Sequence, residues 1–233
     1  MSGVMREYDD KGDFISEWTY KSGKRNGPAK IYYPDGKLKW NAYFKEDEVD
    51  GVVLAYHPNG QLGMEARFKN GKLNGQVREF YEDGALRSVE NNRNDIKDGL
   101  NKEYFSNGKV SLERNFSKGK EIGYSKEYYA NGQIWVEKIF TNNSRDGLLK
   151  EYYKTGEVKQ QWPIKNGKIE GRSKAYYKTG ELMSEENYVQ GVQNGLSQLY
   201  YQNGKIAFED EYSEGKRSTR KAFDEQGQLI SPP

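Results

Sequence analysis

Apolar and polar residues along this chain follow one pattern that repeats every 24 residues. Glycines mark the period at two places in each unit. The first glycine series is Gly3, Gly27, Gly51, Gly75, Gly99, Gly123, Gly147, Gly171 and Gly195. The second series follows nine residues later, at Gly12, Gly36, Gly60, Gly84, Gly108, Gly132, Gly156, Gly180 and Gly204. A fixed period of this length indicates an array of repeated supersecondary units.

Three apolar series keep a constant spacing to these glycines. The first aromatic series precedes the second glycine: Tyr8, Tyr32, Tyr56, Phe80, Tyr104, Tyr128, Tyr152, Tyr176, Tyr200 and, after a deletion, Phe223. The aliphatic series follows this glycine: Phe14, Leu38, Leu62, Leu86, Val110, Ile134, Val158, Leu182, Ile206 and Leu229. The third apolar series is Tyr20, Phe44, Phe68, Asn92, Phe116, Phe140, Ile164, Tyr188 and Tyr212, with asparagine as its polar exception. Strand-forming residues set between turn residues predict that each unit is a β-hairpin.

The turn chemistry sets the register of each hairpin. The sequence Pro34–Gly36 fits a type I turn closed by a left-handed glycine bulge, and a tighter type I′ turn is the alternative. We favour the bulged turn because it pairs Tyr128 with Ile134 and puts Phe140 on the same side. Side-chain alternation then sends Tyr129 to the opposite face. The same register predicts a row of lysines on the face of the first aromatic series: Lys102, Lys126, Lys150 and Lys174.

The fold class that follows is all-β: an elongated, twisted, single-layer antiparallel meander of about ten β-hairpin repeats. The units start near residues 3, 27, 51, 75, 99, 123, 147, 171, 195 and 219, and the first and last are caps of a single array over residues 1–233. Two local departures are expected. The segment Asn91 to Asp98 carries Asp95 in place of a loop glycine and should bend. Pro163 lacks a ladder donor and should interrupt its strand.

Composition limits the core and the class of partner. Only 34% of the residues are hydrophobic and the mean hydropathy is −1.08, which predicts a thin core. The 37 basic and 35 acidic residues are interspersed, so neither nucleic acid nor an anionic membrane is an expected partner. The absence of cysteine excludes disulfides and thiolate metal sites. No apolar run reaches membrane-spanning length and no signal-peptide core is visible, so we expect a cytoplasmic location, or a periplasmic or surface one if a leader has been removed.

Candidate catalytic chemistry is sparse in this sequence. His57, the single histidine, stands where other units have an aromatic residue, and we interpret it as a tyrosine substitute rather than a catalytic base. An acidic row recurs at Glu65, Glu113, Glu137, Glu185 and Glu209. Paired acids can hydrolyse glycosides, but a row repeated from unit to unit is more typical of a solvated face. We therefore expect no catalytic residue, no metal and no cofactor.

The remaining candidate surface is the second aromatic series, whose members directly follow those of the first. This series is Tyr33, His57, Tyr81, Phe105, Tyr129, Tyr153, Tyr177 and Tyr201. Two interpretations stay open. Neighbouring rings can pack on one another and stiffen a thin sheet. Alternatively, a stripe of rigid rings that faces away from the main apolar face is a surface for protein recognition. We predict partner binding at these residues.

These series resemble the MORN repeat family, the membrane occupation and recognition nexus motif. The spacing is most similar to its bacterial variant, with the pattern G-x-x-x-x-Y-Y-x-x-G-x-L, from Gly3 to Leu229. The resemblance implies a non-enzymatic protein-binding scaffold, and its antitoxin-like members imply an antitoxin or immunity protein that neutralises a toxic partner protein. The family name implies a second role as a lipid-binding or membrane-surface adaptor, and a structural or cell-surface spacer is a third possibility.

Overall fold

The computed structural model describes residues 2–140 and 146–231, and these described residues contain β-strands, turns and no helix. The chain forms two compact units, Met1–Lys120 and Glu121–Pro233. In each unit, consecutive strands pair antiparallel as a meander, as predicted for an all-β repeat array. The assignment of residues 1–233 to a single array stays a prediction.

The first unit contains strands β1 to β12. They are β1 (Gly3–Tyr8), β2 (Phe14–Lys21), β3 (Lys24–Tyr32), β4 (Leu38–Lys45), β5 (Glu48–Val49), β6 (Gly51–Tyr56), β7 (Leu62–Lys69), β8 (Lys72–Phe80), β9 (Leu86–Arg93), β10 (Ile96–Lys97), β11 (Gly99–Tyr104) and β12 (Val110–Ser117).

The second unit contains strands β13 to β24, of which the first begins one residue before the unit does. They are β13 (Lys120–Tyr128), β14 (Ile134–Phe140), β15 (Gly147–Tyr152), β16 (Val158–Lys165), β17 (Lys168–Ile169), β18 (Gly171–Tyr176), β19 (Leu182–Val189), β20 (Val192–Gln193), β21 (Gly195–Tyr200), β22 (Ile206–Ser213), β23 (Lys216–Phe223) and β24 (Leu229–Ser231).

The predicted bulged turn is confirmed at the aromatic end of the hairpins. The Gly36 N–H donates to the Tyr33 carbonyl at 2.9 Å, and the Tyr33 N–H donates to the Lys37 carbonyl at 2.8 Å. Gly36 has φ +81°, the left-handed conformation that closes a type I turn with a bulge. The turn pairs Tyr32 with Leu38, and the first aromatic and aliphatic series pair in the same way in all ten hairpins of the described residues.

A different turn joins successive hairpins at the opposite end. Asn70 and Gly71 have φ +49° and +72°, and positive φ at both central residues defines the type I′ turn. The same pair of positive angles occurs at Ser22–Gly23, Glu46–Asp47, Asn94–Asp95, Lys118–Gly119, Asn166–Gly167, Gln190–Gly191 and Glu214–Gly215. The tight turn that we considered for the aromatic end is therefore used between the repeats.

Both expected local departures are wrong. Asn94 and Asp95 form an ordinary type I′ turn between β9 and β10, because aspartate tolerates the left-handed conformation that a glycine usually supplies. Pro163 lies within β16 opposite Leu148, and its carbonyl accepts a hydrogen bond from the Glu170 N–H at 3.0 Å. The strand continues on both sides of the proline.

A second bulge beside the first aromatic series changes the predicted distribution of side chains. In β11 and β12, Tyr104 pairs with Val110, the register then shifts by one residue, and Gly99 pairs with Phe116. Gly99 and Tyr104 are an odd number of residues apart in one strand and so face opposite sides. Phe116 therefore lies on the face opposite Tyr104. The expectation that Phe140 shares the side of the first aromatic series is wrong for the same reason.

The two faces of the sheets differ in burial. We call the face that carries the first aromatic and aliphatic series the tyrosine face, and the face that carries the third apolar series the core face. In the first unit the buried residues are Ser16, Ala29, Ala42, Phe44, Val53, Ala66 and Asn92. In the second unit they are Ser125, Ser173, Ala175, Ser184, Ser197, Asp210, Ala222 and the bulge residue Ala207. Apart from this bulge residue, the strand pairing places all of them on the core face.

The core is thin and depends on small residues beside large rings. In the first unit, Ala29 and Ala42 are 2% and 7% exposed and pair directly across two strands. Trp18, Trp40 and Phe44 pack around them, with the Trp18 and Phe44 ring centroids 5.7 Å apart. Alanine leaves the space that these rings occupy, so one sheet layer can bury part of its own apolar surface.

Candidate functional site

The second aromatic series ties each hairpin to the next one. The Tyr33 hydroxyl donates to the Tyr56 carbonyl of the following hairpin at 2.6 Å. Backbone pairing between these two hairpins includes Trp40 with Ala55. Since Tyr56 comes directly after Ala55, the hydroxyl supplies a donor one residue beyond this pair, and the side chain extends the ladder.

The same hydrogen bond recurs along the series in both units. Hydroxyl-to-carbonyl distances are 2.7 Å for Tyr81 to Tyr104, 2.9 Å for Tyr129 to Tyr152, 2.9 Å for Tyr153 to Tyr176, 2.7 Å for Tyr177 to Tyr200 and 2.8 Å for Tyr201 to Phe223. His57 Nε2 lies 2.9 Å from the Phe80 carbonyl. A carbonyl only accepts, so this nitrogen carries the hydrogen, and His57 is the tyrosine substitute that we predicted.

The structure corrects the predicted orientation of the second aromatic series. Its members lie opposite the first aromatic series, as expected, but this side is the core face. Tyr81 and Phe105 line the same groove as Phe116, a member of the third apolar series, and Leu112, which lies on the same strand. All eight predicted partner-binding residues are half-buried. Their contact with a partner protein stays a prediction. Every tyrosine of the series, and His57, donates a hydrogen bond to the next hairpin.

A groove of about 420 Å³ opens on the core face of the first unit. We call it the core-face groove and define it by Tyr81, Arg87, Phe105, Leu112, Arg114 and Phe116. The aromatic and leucine side chains supply apolar surface, and both arginines are exposed. No sequence motif marks this groove, because its residues come from consecutive hairpins and meet only after the strands have paired.

Ion pairs border the core-face groove. The Arg87 guanidinium lies 2.7 Å from Glu79, and the Ser88 hydroxyl donates to the same carboxylate oxygen at 2.9 Å. Burial opposes ionisation of Glu79, but the hydrogen bonds from Arg87 and Ser88 outweigh it and hold the pKa of this carboxyl below its ordinary value. Lys97 pairs with Glu90 at 2.6 Å. The rim therefore presents both signs of charge in fixed positions.

The tyrosine face carries a ladder of cross-strand ion pairs. Lys102 pairs with Glu113, Lys126 with Glu137 and Lys174 with Glu185, at 2.7, 3.3 and 2.7 Å. Their carboxylates are only 14%, 15% and 13% exposed, so the interpretation of the acidic row as a solvated face is wrong. The two remaining members are also paired, Glu65 with Arg78 at 3.7 Å and Glu209 with Lys221 at 3.6 Å. The predicted position of the lysine row on this face is confirmed.

Tyr152 and Tyr188 have side-chain pKa values well above the ordinary value of tyrosine. Burial, together with a hydrogen bond from its hydroxyl to Glu137 at 3.0 Å, raises the pKa of Tyr152 to about 12. Burial and a hydrogen bond to Glu186 at 2.7 Å raise the pKa of Tyr188 to about 12. In both cases a nearby carboxylate disfavours the phenolate.

Residues 2–140 and 146–231 bear on two further classes of site, a metal site and a membrane-spanning helix. This part of the chain has no group of three or more histidine, aspartate or glutamate residues that could hold a metal ion. Within the same residues, no helix is long and apolar enough to cross a membrane.

Replacing Tyr153 and Tyr177 together with phenylalanine should lower the melting temperature. Each change removes one hydroxyl and leaves a backbone carbonyl without its donor, a loss of about 0.5–1.5 kcal/mol per bond. Thermal unfolding followed by circular dichroism measures it. Tyr124→Phe is the matched control, because this exposed hydroxyl has no hydrogen bond within the described residues. Equal melting temperatures for the double variant and the control would show that the hydroxyl ladder contributes nothing.

Alkaline titration should show two late phenolates. The folded pKa of Tyr152 and Tyr188, about 12, exceeds the ordinary value of about 10. The stabilisation is complete below pH ~10 and is lost as the pH rises towards ~12. In a Tyr188→Phe background, Glu137→Gln should shift the last phenolate absorbance step to lower pH. An unshifted step would mean that Glu137 does not act on Tyr152.

Comparison with known proteins identifies the repeat. The model of the family described as MORN repeat variant matches residues 25–45, 49–70, 97–118, 121–142, 145–166, 169–190 and 193–214. The unmatched residues between the second and third segments contain Asn92, the polar exception of the third apolar series. No match was found among curated proteins.

Solved structures with some similarity include assemblies that contain TccC3. The crystal structure of TcdB2–TccC3 is 13% identical with a TM-score of 0.23, and the Tc holotoxin pore of Photorhabdus luminescens is 14% identical with a TM-score of 0.23. Each alignment covers 94% of the present chain, which spans only 14% of those chains. The seven family segments, in contrast, cover well over half of the chain, which therefore belongs to the MORN repeat variant family.

Proposed function

We propose that this protein is a non-enzymatic repeat scaffold that binds a partner protein through the core-face groove. The groove itself is the observation that supports this function. It combines apolar surface from Phe105, Leu112 and Phe116 with the exposed guanidinium of Arg114. Aromatic residues and arginine are enriched where protein interfaces gain most of their binding energy.

The strand scaffold suits the groove to this task. Phe116 and Leu112 lie on β12. Phe105 directly follows β11, which pairs with β12. The ring of Phe116 also receives the Lys97 ammonium at 5.6 Å from its centroid. Residues held by paired strands lose little conformational freedom on binding, which favours affinity. Tyr81 and Phe105 bring two members of the second aromatic series into the same surface.

The partner is proposed to be a toxic protein that the scaffold neutralises in the cytoplasm. The support for this finer proposal is the resemblance of the repeat pattern to antitoxin-like bacterial proteins. An occluding scaffold needs no catalytic group of its own. The carboxylates of the acidic row are held in ion pairs, and the single histidine is held by a backbone carbonyl.

Arg114→Glu should weaken binding of the partner at least about tenfold, a change of about 1.4 kcal/mol. The change reverses an exposed charge in the core-face groove and leaves the strand pairing intact. The partner is first captured from the native cell and identified, and its affinity for the purified chain is then measured by titration calorimetry.

The matched control is Lys11→Glu, which makes the same charge change at an exposed turn outside the groove. If both variants bind like the unchanged protein, the partner uses another surface. The antitoxin role further requires that expression of the partner alone arrests growth and that co-expression of this chain restores it. Growth arrest that persists on co-expression would contradict the role, even if the two proteins bind.

The protein should not sediment with anionic vesicles at physiological ionic strength. The net charge is only +2, and Lys102, Lys126 and Lys174 of the tyrosine face are paired with glutamates, so little positive potential remains for lipid headgroups. Co-sedimentation with phosphatidylserine or phosphoinositide vesicles measures this directly. Firm binding would favour the membrane-adaptor role that the family name suggests.

A further inference from the structure

A groove of about 620 Å³ lies on the first unit, beside the type I′ turns. We call it the basic groove and define it by Lys45, Gly51, Val52, Arg67 and Lys69. Lys45 ends β4, Gly51 and Val52 begin β6, and Arg67 and Lys69 lie at the end of β7. Because β6 pairs with both β4 and β7, its short side chains lie between two strands that carry long cationic side chains.

The strand register shows which face of the sheet carries the basic groove. Leu54 pairs with Glu65, a member of the acidic row on the tyrosine face. Val52 and Arg67 pair with each other two residues away, and Lys69 stands two residues beyond Arg67. Side chains two residues apart on a strand share a face. The cations of the groove therefore lie on the tyrosine face, opposite the core-face groove.

An exposed aromatic ring borders the basic groove. Tyr43 stands two residues before Lys45 on β4, and Asn41, two residues earlier, pairs with Leu54 of the tyrosine face. Tyr43 is 49% exposed and Val52 is 39% exposed. Exposed apolar surface that is rimmed by charged residues is typical of protein interaction sites.

The charge of the basic groove favours an anionic occupant. Among residues 2–140 and 146–231, no carboxylate forms an ion pair with Lys45, Arg67 or Lys69. The acidic residue of the lining, Asp50, accepts a hydrogen bond from the Asn70 N–H at 3.2 Å. The lining therefore holds three positive charges and one negative charge.

The fold itself does not require this charge or this ring. In the equivalent strands two repeats later, the tyrosine, the arginine and the second lysine are replaced by Asn91, Asn115 and Ser117. The remaining cation, Arg93, pairs with Asp98 at 3.3 Å. The same strand pairing therefore also forms where these positions carry neither an aromatic ring nor an unpaired cation.

We propose that the basic groove binds an acidic segment of a partner protein and that an apolar side chain of this segment packs on Val52 and Tyr43. Carboxylates of the segment pair with the cations on both sides of the groove, and its apolar side chain covers surface that a small anion would leave exposed. Three cations are fewer than the about four to eight basic residues typical of anionic-lipid recognition. This surface does not depend on the function proposed for the core-face groove.

Synthetic end-capped peptides test the proposal: EEFEE, the uncharged QQFQQ, and EEGEE, which lacks the apolar side chain. Fluorescence anisotropy with the labelled peptides and the full chain should show saturable binding of EEFEE that weakens as salt is added. QQFQQ and EEGEE should each bind at least about tenfold more weakly. In amide NMR spectra, the resonances of Gly51 and Val52 should shift when EEFEE is added.

Charge reversal makes the test specific to the basic groove. Lys45→Glu combined with Lys69→Glu should abolish binding of EEFEE, whereas Lys11→Glu combined with Lys165→Glu makes the same charge change elsewhere and should leave it unchanged. Arg114→Glu should also leave peptide binding unchanged, which separates this proposal from the function of the core-face groove. The proposal would be overturned by absence of saturable binding, by equal binding of QQFQQ or EEGEE, or by retained affinity in the first double variant. Sedimentation with phosphatidylserine vesicles that this variant abolishes would also overturn it.

Discussion

The bulge beside the first aromatic series is the constraint on which the other features depend. One extra residue between Val110 and Leu112 reverses the side-chain alternation, so that Tyr104 and Phe116 face opposite sides of the same hairpin. Without it, both large apolar series would crowd one face and leave the other polar. With it, each face receives one series: rings and small residues on the core face, and rings with lysine–glutamate pairs on the tyrosine face. Both faces are then only partly buried, which suits a chain with so few hydrophobic residues.

A single layer of this kind must obtain its stability from contacts between neighbouring hairpins. Each repeat gains a side-chain hydrogen bond at one end, such as Tyr153 to the Tyr176 carbonyl at 2.9 Å. At the other end, backbone bonds connect the type I′ turns, such as the Gly71 N–H to the Val49 carbonyl at 2.9 Å. These contacts act only between nearest neighbours, as in other repeat proteins. The second aromatic series therefore contributes to the scaffold whether or not it contacts a partner. Its hydroxyl groups join neighbouring hairpins, whereas its rings supply apolar surface.

The sequence reveals those features that recur at fixed spacing. The period, the hairpins, the bulged turn at Pro34–Gly36 and the substitution of His57 for tyrosine all follow from it, because each depends on local residue types. The second bulge cannot be predicted from the sequence, because the bulged position carries residues as different as Lys39, Ser111 and Trp135. The pairing of the acidic row with the lysine row depends on the strand register, so the residue types alone do not reveal it. The core-face groove depends on register as well, and on residues that differ between repeats.

The strand pairing that joins the repeats also brings cations of one strand beside carboxylates of its neighbour. Inside a unit, each strand edge is covered by the next strand, and a lysine such as Lys174 meets its glutamate at 2.7 Å. At β23, Lys221 lies 3.6 Å from Glu209 of β22, and Arg220 lies 2.7 Å from Asp210 of the same strand. The cations that stand there are partly neutralised from one side by Asp210 and Glu209. Cross-strand attraction between lysine and glutamate therefore helps to fix the register of the strands in both units.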